Sequence, residues 1–505
     1  MKKSLLFLGL LGFAGHAHAQ APWSLVNTPV SNILSQVNVV DLHTLSPTTV
    51  WGVTSDRVAA SAPASIPRNF IRSNNTAGDQ FDWGDISVTS GPTKSATVGN
   101  ISGVNAQVAV ACAYPGGTFD GAGTYGGEIV KTTNGGQTWV KKTTATQFTG
   151  AGTFCNWVHM FNATTGVSLG DPAPATGNTF EILRTTDGGE NWVRVTANVP
   201  APLTNEYGNA GAFFASNSTP GTLWTGLASA NNAAQVRVLK TTDFGQTWTA
   251  SGLIPNIVGA VSQLAFKSNN LDGIAYGFTS PGGGAPATAL NVARTADGGA
   301  TWTAISPPNT PTGSFFRNGI DAVGNTYYST GARFPLPVAP TPQVPEDFGT
   351  SISTDGINWT NLNVSGPTLA APGYFFCLDL IPGSSASNVV GYGGLYTDPN
   401  GVGGIYKYSR TTLATRNAAL QSALNVYPNP SNSGLFSVDL GAELKAGAQL
   451  TVSDALGRQV KAQTLNAAAI GARKVNLDLS GEKTGIYTLQ IRTEAGLATQ
   501  KIVID

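Results

Sequence analysis

Two carboxylates in the middle of the chain are of the residue types that could do acid–base chemistry. Asp171 lies in a G-D-P tripeptide and Glu206 in an N-E-Y-G stretch. Two carboxyl groups at one site can act as the acid and the base of glycoside hydrolysis. They could equally cap loops and form turns, because Asp before Pro is a common turn opening. The sequence leaves both interpretations open.

Four other residues are candidates for ligand contact. Trp157 and His159 share one apolar run, Arg317 is unrepeated in its first strand, and Arg333, like Arg57, follows a second strand. His159 and His43 are the two histidines outside the N-terminal stretch, and a lone histidine is more often a structural residue than a ligand. We predict no cofactor and no metal site, since the cysteines match no zinc spacing and the glycine-rich stretches introduce no helix.

The elements that must position these residues repeat along the chain. The phrase T-T-D-G-G-E-N-W at 185–192 recurs in variant form, and its tryptophans are roughly 53–57 residues apart. Asp or Asn can bond to backbone N–H groups within the turn, Gly permits the backbone conformation, and Trp buries a large face. We therefore predict a structural role for the recurring residues, which are Asn134, Trp139, Asp187, Trp192, Asp243, Trp248, Asp297, Trp302, Asp355 and Trp359.

Each repeat contains four short apolar runs, which predicts a four-stranded propeller blade. Seven third strands and seven fourth strands can be counted, but the two series are offset by one. The fourth-strand series begins at Trp23, before any third strand, and the last third strand, which contains Tyr406, has no fourth strand after it. We predict an all-β fold in which an N-terminal strand closes a seven-bladed β-propeller over residues 20–409.

The recurring segments that end in tryptophan, here called boxes, resemble the Asp-box, or bacterial neuraminidase repeat, of sialidase-like propellers. The match is specific at Thr185, Asp187, Gly189 and Trp192, whereas Trp359 stands one residue too close to its aspartate. The resemblance implies that the boxes lie in turns at the blade rim, far from a central site. The first-blade F/Y-R-I-P signature of sialidases is absent, so sialidase activity is not predicted.

Residues 424–505 form a different unit, joined by a polar, Ala-rich linker at 410–423. Period-2 alternation in five apolar runs predicts a small immunoglobulin-like β-sandwich. The unit resembles the type A C-terminal sorting domain of the type IX secretion system of Bacteroidetes, through the motifs Y-P-N-P at 427–430, D-A-L-G-R at 454–458, G-I-Y at 485–487 and K-I-V-I at 501–504. The resemblance implies the secretion machinery as a partner. An ordinary carbohydrate-binding or adhesive sandwich is the alternative.

The N-terminal residues 1–19 read as a signal peptide, with two lysines, a short apolar run and an A-H-A cleavage site. No stretch is long enough to be a transmembrane segment. Lys and Arg total 28, as do Asp and Glu, so a nucleic-acid partner is not favoured. The odd number of cysteines in an exported protein permits one disulfide and one leftover thiol. We expect all three, Cys112, Cys155 and Cys377, to be buried and unpaired.

Together these features predict a secreted or surface-displayed protein of a Gram-negative bacterium. The leading hypothesis is a propeller that binds a glycan or protein ligand at its central mouth. The alternative is a glycoside hydrolase that uses Asp171 and Glu206. The sequence favours the non-enzymatic interpretation, because it contains no motif that establishes catalysis.

Overall fold

The fold was analysed in a computed structural model. It describes residues 23–26, 37–56, 70–86, 97–114, 127–148, 153–172, 177–279, 289–310, 313–333, 347–362, 373–383, 388–397, 404–411, 418–440, 448–455, 458–493 and 496–505. The predicted signal peptide and residues 412–417 of the predicted linker lie outside these residues. Almost all regular structure in the described part is β-strand, as the sequence predicts.

Within the described part of 23–411 there are seven four-stranded antiparallel sheets, here numbered I to VII. Six of them are built from consecutive strands. Sheet I contains β2 Val37–Ser46, β3 Thr49–Asp56, β4 Phe70–Ser73 and β5 Phe81–Gly84, and sheet II contains β6 Thr97–Gly103, β7 Ala109–Tyr114, β8 Glu128–Thr132 and β9 Val140–Lys141. Sheet III contains β10 Cys155–Met160, β11 Gly166–Gly170, β12 Glu181–Thr185 and β13 Val193–Arg194, and sheet IV contains β14 Glu206–Ala215, β15 Leu223–Ser229, β16 Val238–Thr241 and β17 Thr249–Ala250. Sheet V contains β18 Gln263–Phe266, β19 Gly273–Thr279, β20 Ala289–Thr295 and β21 Thr303–Ile305, and sheet VI contains β24 Arg317–Val323, β25 Thr326–Arg333, β26 Asp347–Ser353 and β27 Thr360–Leu362. A short pair, β22 Asn309–Thr310 and β23 Gly313–Ser314, lies between sheets V and VI.

Sheet VII is assembled from both ends of this region. Its strands are β28 Gly373–Pro382, β29 Asn388–Thr397, β30 Ile405–Thr411 and β1 Trp23–Leu25. Trp23 pairs with Tyr408 and Leu25 with Tyr406, so the N-terminal strand is the fourth strand of this sheet. This pairing is the one that the offset between the two strand series predicts.

The first strands bring the sheets together. Each first strand contacts the first strand of the next sheet, and β28 of sheet VII contacts β2 of sheet I. The series of contacts therefore returns to its start. Between the sheets, large apolar side chains from both neighbours fill the gap; for example, Trp224 of sheet IV stacks on Phe266 of sheet V with ring centroids 3.9 Å apart.

The repeated turn joins the third and fourth strands of a sheet. In sheet IV, Thr241 Oγ1 donates to Asp243 Oδ1 at 2.9 Å and accepts from Gly245 N at 3.0 Å. Asp243 also accepts from the backbone N–H of Thr247 at 2.9 Å. The Trp248 indole is buried, and its Nε1 donates to Gly245 O at 3.2 Å. Closely similar bonds hold the turns at Asp187, Asp297 and Asp355, so each carboxylate is occupied by its own turn.

The expectation of three unpaired cysteines is wrong for two of them. Cys112 on β7 and Cys155 on β10 form a disulfide, with their Cα atoms 6.3 Å apart. The bond joins sheets II and III, and the partners are 43 residues apart in sequence. Sequence spacing could not predict it, because their proximity depends on how the two sheets pack. Cys377 is free and buried, as predicted.

The tail contains two further sheets and two short helices. The first sheet has the order β31 Asn425–Tyr427, β32 Leu435–Asp439 and β35 Lys474–Asp478; the second has the order β34 Gln459–Thr464, β33 Gln449–Asp454, β36 Gly485–Thr493 and β37 Gly496–Ile504. The helices are α1 Ala418–Ala423 and α2 Ala467–Gly471. Alternate strand residues, such as Val438, Leu450 and Leu489, form a separate apolar core. This periodicity is what the sequence predicts for the tail.

We predict that Trp23→Ala strongly destabilises residues 23–411. The indole packs against Phe375 and Tyr408, with ring centroids 4.8 Å away in each case, and its Nε1 donates to Thr350 Oγ1 at 3.1 Å. Truncation of a buried tryptophan costs about 3–5 kcal/mol of unfolding free energy. Urea unfolding followed by tryptophan fluorescence measures this loss.

Ser24→Ala on the same strand is the matched control, because Ser24 is exposed. Its effect should stay within about 0.5 kcal/mol. Equal losses in the two variants would contradict a closing role for the Trp23 side chain.

Candidate functional site

The first strands of the seven sheets surround a cavity of about 750 Å³. Its polar lining includes Asp41 and His43 of β2, His159 of β10, Asp321 of β24 and Asp379 of β28. Small-molecule sites in proteins have volumes of roughly 300–1,000 Å³ and combine apolar walls with a few polar groups. This cavity is therefore the candidate binding site in the described part of the chain.

Polar side chains bridge every junction between neighbouring sheets. A backbone N–H at the edge of a first strand has no ladder partner in the next sheet, and burying it unpaired would cost stability. The bridges run from Asp41 to Ile101 N, from Asn100 to Val158 N, from Asp171 to Gly208 N, from Asn209 to Val261 O, from Gln263 to Ile320 N, from Asp321 to Leu380 N and from Asp379 to Thr44 N. All but the Asn209 bridge use a side-chain acceptor.

Three of these bridges are carboxylates grouped at successive junctions. Burial raises the pKa of Asp41 and of Asp379 to about 7, and the charge of Asp379 adds to the effect on Asp41. Burial, then the charge of Asp379, also raises the pKa of Asp321 well above its ordinary value. Near neutral pH, this side of the cavity therefore carries less negative charge than three ordinary aspartates would.

Two histidines lie together on another part of the wall. The rings of His43 and His159 have centroids 5.6 Å apart. Burial lowers the pKa of His43 to about 4, and burial together with His43 lowers the pKa of His159 to about 3. His43 Nδ1 accepts from Gly103 N at 2.7 Å, so the neutral ring carries its proton on Nε2.

Sequence reasoning missed the three cavity aspartates. Each stands inside an apolar first strand, in V-V-D-L, G-I-D-A and C-L-D-L at 39–42, 319–322 and 377–380. A charged residue inside such a run is unusual unless it is paired. That signal was available, although the partner of each carboxylate could not be read from the sequence.

Asp171 lies where sheets III and IV meet. Its Oδ1 accepts from Asn156 Nδ2 at 2.7 Å and from Gly208 N at 2.9 Å. Burial raises its pKa to about 6 despite these two bonds. Gly208 stands two residues before Ala210, which lines the cavity, so Asp171 adjoins the cavity without lining it.

Glu206 begins β14 and is held by Arg237. The Arg237 Nε and Nη2 atoms donate to the two carboxylate oxygens at 2.8 Å each, and Leu203 N also donates to Oε2 at 2.8 Å. The residue is 7% exposed. Tyr207 follows Glu206 and precedes Gly208, whose N–H binds Asp171; it is 38% exposed, and sequence reasoning did not select it. Its pKa is raised by burial and by the charge of Asp171.

The predicted ligand-contact residues fall in different surroundings. His159 lines the cavity. Trp157 is fully buried between sheets III and IV, where its Nε1 donates to Thr225 Oγ1 at 3.0 Å and its ring stacks on Phe213. The Arg317 guanidinium lies 5.3 Å from the ring centroid of Phe278, and Arg333 is buried at the end of β25. These four side chains therefore do not form one cluster.

The described residues contain no group of three or more His, Cys, Asp or Glu side chains that could hold a metal ion. No helix in the same part of the chain is long and apolar enough to cross a membrane.

Comparison with known families identifies the tail. Residues 425–505 match the model of the secretion system C-terminal sorting domain. A segment of this kind implies contact with the type IX secretion machinery and export to the cell surface or beyond.

Comparisons of the whole chain give more distant similarities. A xyloglucanase of Paenibacillus sp is 29% identical over 243 residues, which are 44% of this chain. The chain spans about a fifth of that relative, since the match covers 20% of it. Among solved structures, YCF48 bound to D1 peptide has a TM-score of 0.42 at 14% identity, covering 77% of this chain and 96% of that one. The Niastella koreensis GH74 enzyme has a TM-score of 0.38 at 15% identity, covering 93% and 84%.

We predict that the cavity carboxylates make stability depend on pH. The pKa of Asp379 is raised to about 7 in the folded chain. Its contribution to stability is therefore complete below about pH 4, where the unfolded side chain is protonated too, and is lost as the pH rises through 7. Asp379→Asn keeps an oxygen for Thr44 N and cannot ionise. From pH 5 to pH 8 the variant should gain about 2–3 kcal/mol relative to the wild type, measured by urea unfolding.

Asp187→Asn is the matched control. Hydrogen bonds, chiefly from Asn191, lower the pKa of Asp187 to about 2, so the residue stays charged throughout this range. Its stability relative to the wild type should not change between pH 5 and pH 8. The two histidines titrate on unfolding in all three proteins and cancel in the differences. A flat difference for Asp379→Asn would contradict the raised pKa.

Proposed function

We propose that residues 20–409 form a seven-bladed β-propeller of the Asp-box type and that residues 424–505 form an immunoglobulin-like sorting domain. The closed order of contacts among sheets I to VII and the two sheets of the tail support this assignment. In this proposal, a signal peptide at 1–19 and the sorting domain direct the propeller to the cell surface or the medium.

We further propose that the propeller binds a neutral glycan at its central mouth without cleaving it. The observation that carries the non-catalytic assignment is the pairing of Glu206 with Arg237. Both carboxylate oxygens are held at 2.8 Å, and one of them also accepts from Leu203 N. A general base or nucleophile needs an oxygen free to reach the substrate. Only one member of the candidate pair, Asp171, meets that need.

The lining of the cavity supports a neutral ligand. Among the described residues that line it there is no Lys, Arg or Glu. An acidic sugar is best held by charged, bidentate donors such as Arg, and the cavity offers none. Hydroxyl groups of a neutral sugar, by contrast, match its aspartates and its uncharged histidines. The 29% identity with a xyloglucanase over part of the chain favours xyloglucan as this glycan.

Tyr207 extends the proposed site to the rim. Its exposed ring is next to Asp171, and a tyrosine with one apolar face and one polar end suits contact with a sugar. Asp171 Oδ1 accepts both of its hydrogen bonds, and no described residue donates to Oδ2, which can therefore accept from a hydroxyl group of the ligand.

Hydrolysis is the second candidate, favoured by the pKa of Asp171. A value raised to about 6 suits a general acid near neutral pH. This function requires a second carboxylate, and Glu206 would have to leave Arg237 on substrate binding.

We predict binding without turnover when the full chain is incubated with xyloglucan and other neutral polysaccharides. Calorimetry should register binding, while a reducing-sugar assay should stay at its background. Turnover that Asp171→Asn abolishes would establish the hydrolase in place of the binding protein. No binding and no turnover in these two assays, together with no binding on a broad glycan array, would overturn the glycan proposal. A protein ligand would then be the remaining hypothesis.

Tyr207→Ala should weaken binding about fivefold to tenfold, because an aromatic contact contributes about 1 kcal/mol. Tyr427→Ala is the matched control, since Tyr427 is a similarly exposed tyrosine at 44% but lies in the tail. Equal affinities for the two variants would exclude Tyr207 from the site.

A further inference from the structure

The cavity is crossed at one end by the turn that follows the first strand of sheet IV. Asn217 stands in this turn and lines the cavity. Its Nδ2 donates to Ala322 O of sheet VI and to Leu380 O of sheet VII, at 3.4 Å each. One side chain of sheet IV therefore reaches across to two sheets that are not its neighbours.

Asp171 and Tyr207 do not line the cavity but lie at the beginning of β14, at the other end of this strand from Asn217. Gly208 at the beginning of β14 binds Asp171, whereas Asn217 follows the end of the same strand. Ala322 and Leu380 also stand near the ends of their first strands. Because the first strands are arranged alike around the cavity, Asn217 and Asp171 mark opposite ends. A ligand that enters past Tyr207 meets Asn217 at the far end.

The cavity also contains a buried polar side chain without a hydrogen-bond partner. His159 is 8% exposed and lines the cavity, and no hydrogen bond to its ring is present within the described part of the chain. Its contacts are with the rings of His43, Phe161 and Phe213. Its ring nitrogens are not among the fully buried unpaired atoms of the described residues, so they are open to the cavity and can hydrogen-bond a ligand group.

The neighbouring groups define what that ligand must offer. His43 has its proton on Nε2 because Nδ1 accepts from Gly103 N, so it presents a donor. Asp41 and Asp379 supply acceptor oxygens, and both residues line the same cavity as Phe213 and Phe278. A ligand that donates and accepts hydrogen bonds and that has an apolar face would match these donors, acceptors and aromatic rings. A sugar ring has all three properties, whereas an anion would meet the aspartates unfavourably.

We propose that this cavity binds the end of a neutral glycan chain, rather than a segment in its middle. The proposal rests on the proposed function and adds to it the mode of recognition. A cavity of about 750 Å³ that is crossed by Asn217 accommodates the last sugar units of a chain. An internal segment would have to pass the far end, which the Asn217 turn obstructs. His159 and His43 contact the terminal sugar, and Tyr207 contacts the units that follow it.

The first experiment varies the number of chain ends at constant sugar mass. A neutral β-glucan is partly hydrolysed to a series of mean lengths, and calorimetry measures the sites filled per gram. Binding by the cavity should rise in proportion to the number of ends. Binding that depends on mass alone would overturn endwise recognition and leave the proposed function intact. Absence of heat with every preparation would overturn both.

The second experiment locates the sugar. The full chain is labelled with ¹³C at histidine Cε1 and titrated with cellotetraose, and the His43 and His159 signals are assigned with His43→Gln and His159→Phe. Both signals should shift on binding. Heat of binding without a shift in either signal would place the glycan elsewhere and overturn the cavity site alone.

The third experiment uses variants with opposite expectations. His159→Phe keeps a ring against Phe161 and Phe213 but removes the nitrogens, and it should weaken cellotetraose binding about tenfold. Val140→Thr, at a residue 51% exposed on the outer strand of sheet II, should leave affinity unchanged. Asn217→Gly should open the far end and increase binding of long chains relative to short ones. Unchanged length preference in a folded Asn217→Gly protein would contradict the obstructed end.

Discussion

The backbone N–H groups at the inner edge of each sheet are the constraint on which the ring depends. The first strand of a sheet has a ladder partner on one side and faces its neighbour sheet on the other. Edge groups that are buried without a partner cost stability, and a second ladder across the junction would merge the sheets. Side chains supply the missing partners: Asp321 accepts from Leu380 N, and Gln263 accepts from Ile320 N. Each sheet thereby keeps its own four strands and still binds the next.

This solution places polar atoms around the central cavity. Asp41, Asp321 and Asp379 hold three successive junctions together, and they also line the space in which a ligand would bind. Their raised pKa values follow from burial, so stability and ligand chemistry share the same groups. Asp171 likewise has two roles. It bridges sheets III and IV, and its carboxyl group lies close enough to the exposed Tyr207 for its charge to raise the pKa of that residue.

The repeat and the cavity differ in how far sequence could predict them. The box residues recur because each turn has the same local task, and a task completed within eight residues can be read from sequence. Thr241, Asp243 and Gly245 satisfy one another within a single turn. The cavity residues act over distance: Asp379 and Thr44 are 335 residues apart, and Asn217 and Leu380 are 163 apart. Nothing local identifies such partners, and for the same reason the pairing of Cys112 with Cys155 was missed.

The sequence by itself determined the all-β class, the four-stranded unit, the strand supplied from Trp23 and the sorting tail. These features depend on period-2 alternation, turn residues and a repeat count, which are properties of neighbouring residues. Only the tertiary structure decided that Glu206 is held by Arg237, that Trp157 is buried between sheets and that His43 and His159 lie side by side. The physical reason is that burial, ion pairing and pKa depend on which sheets meet. The carboxyl groups of Asp171 and Glu206 therefore acquire different chemistry from their surroundings.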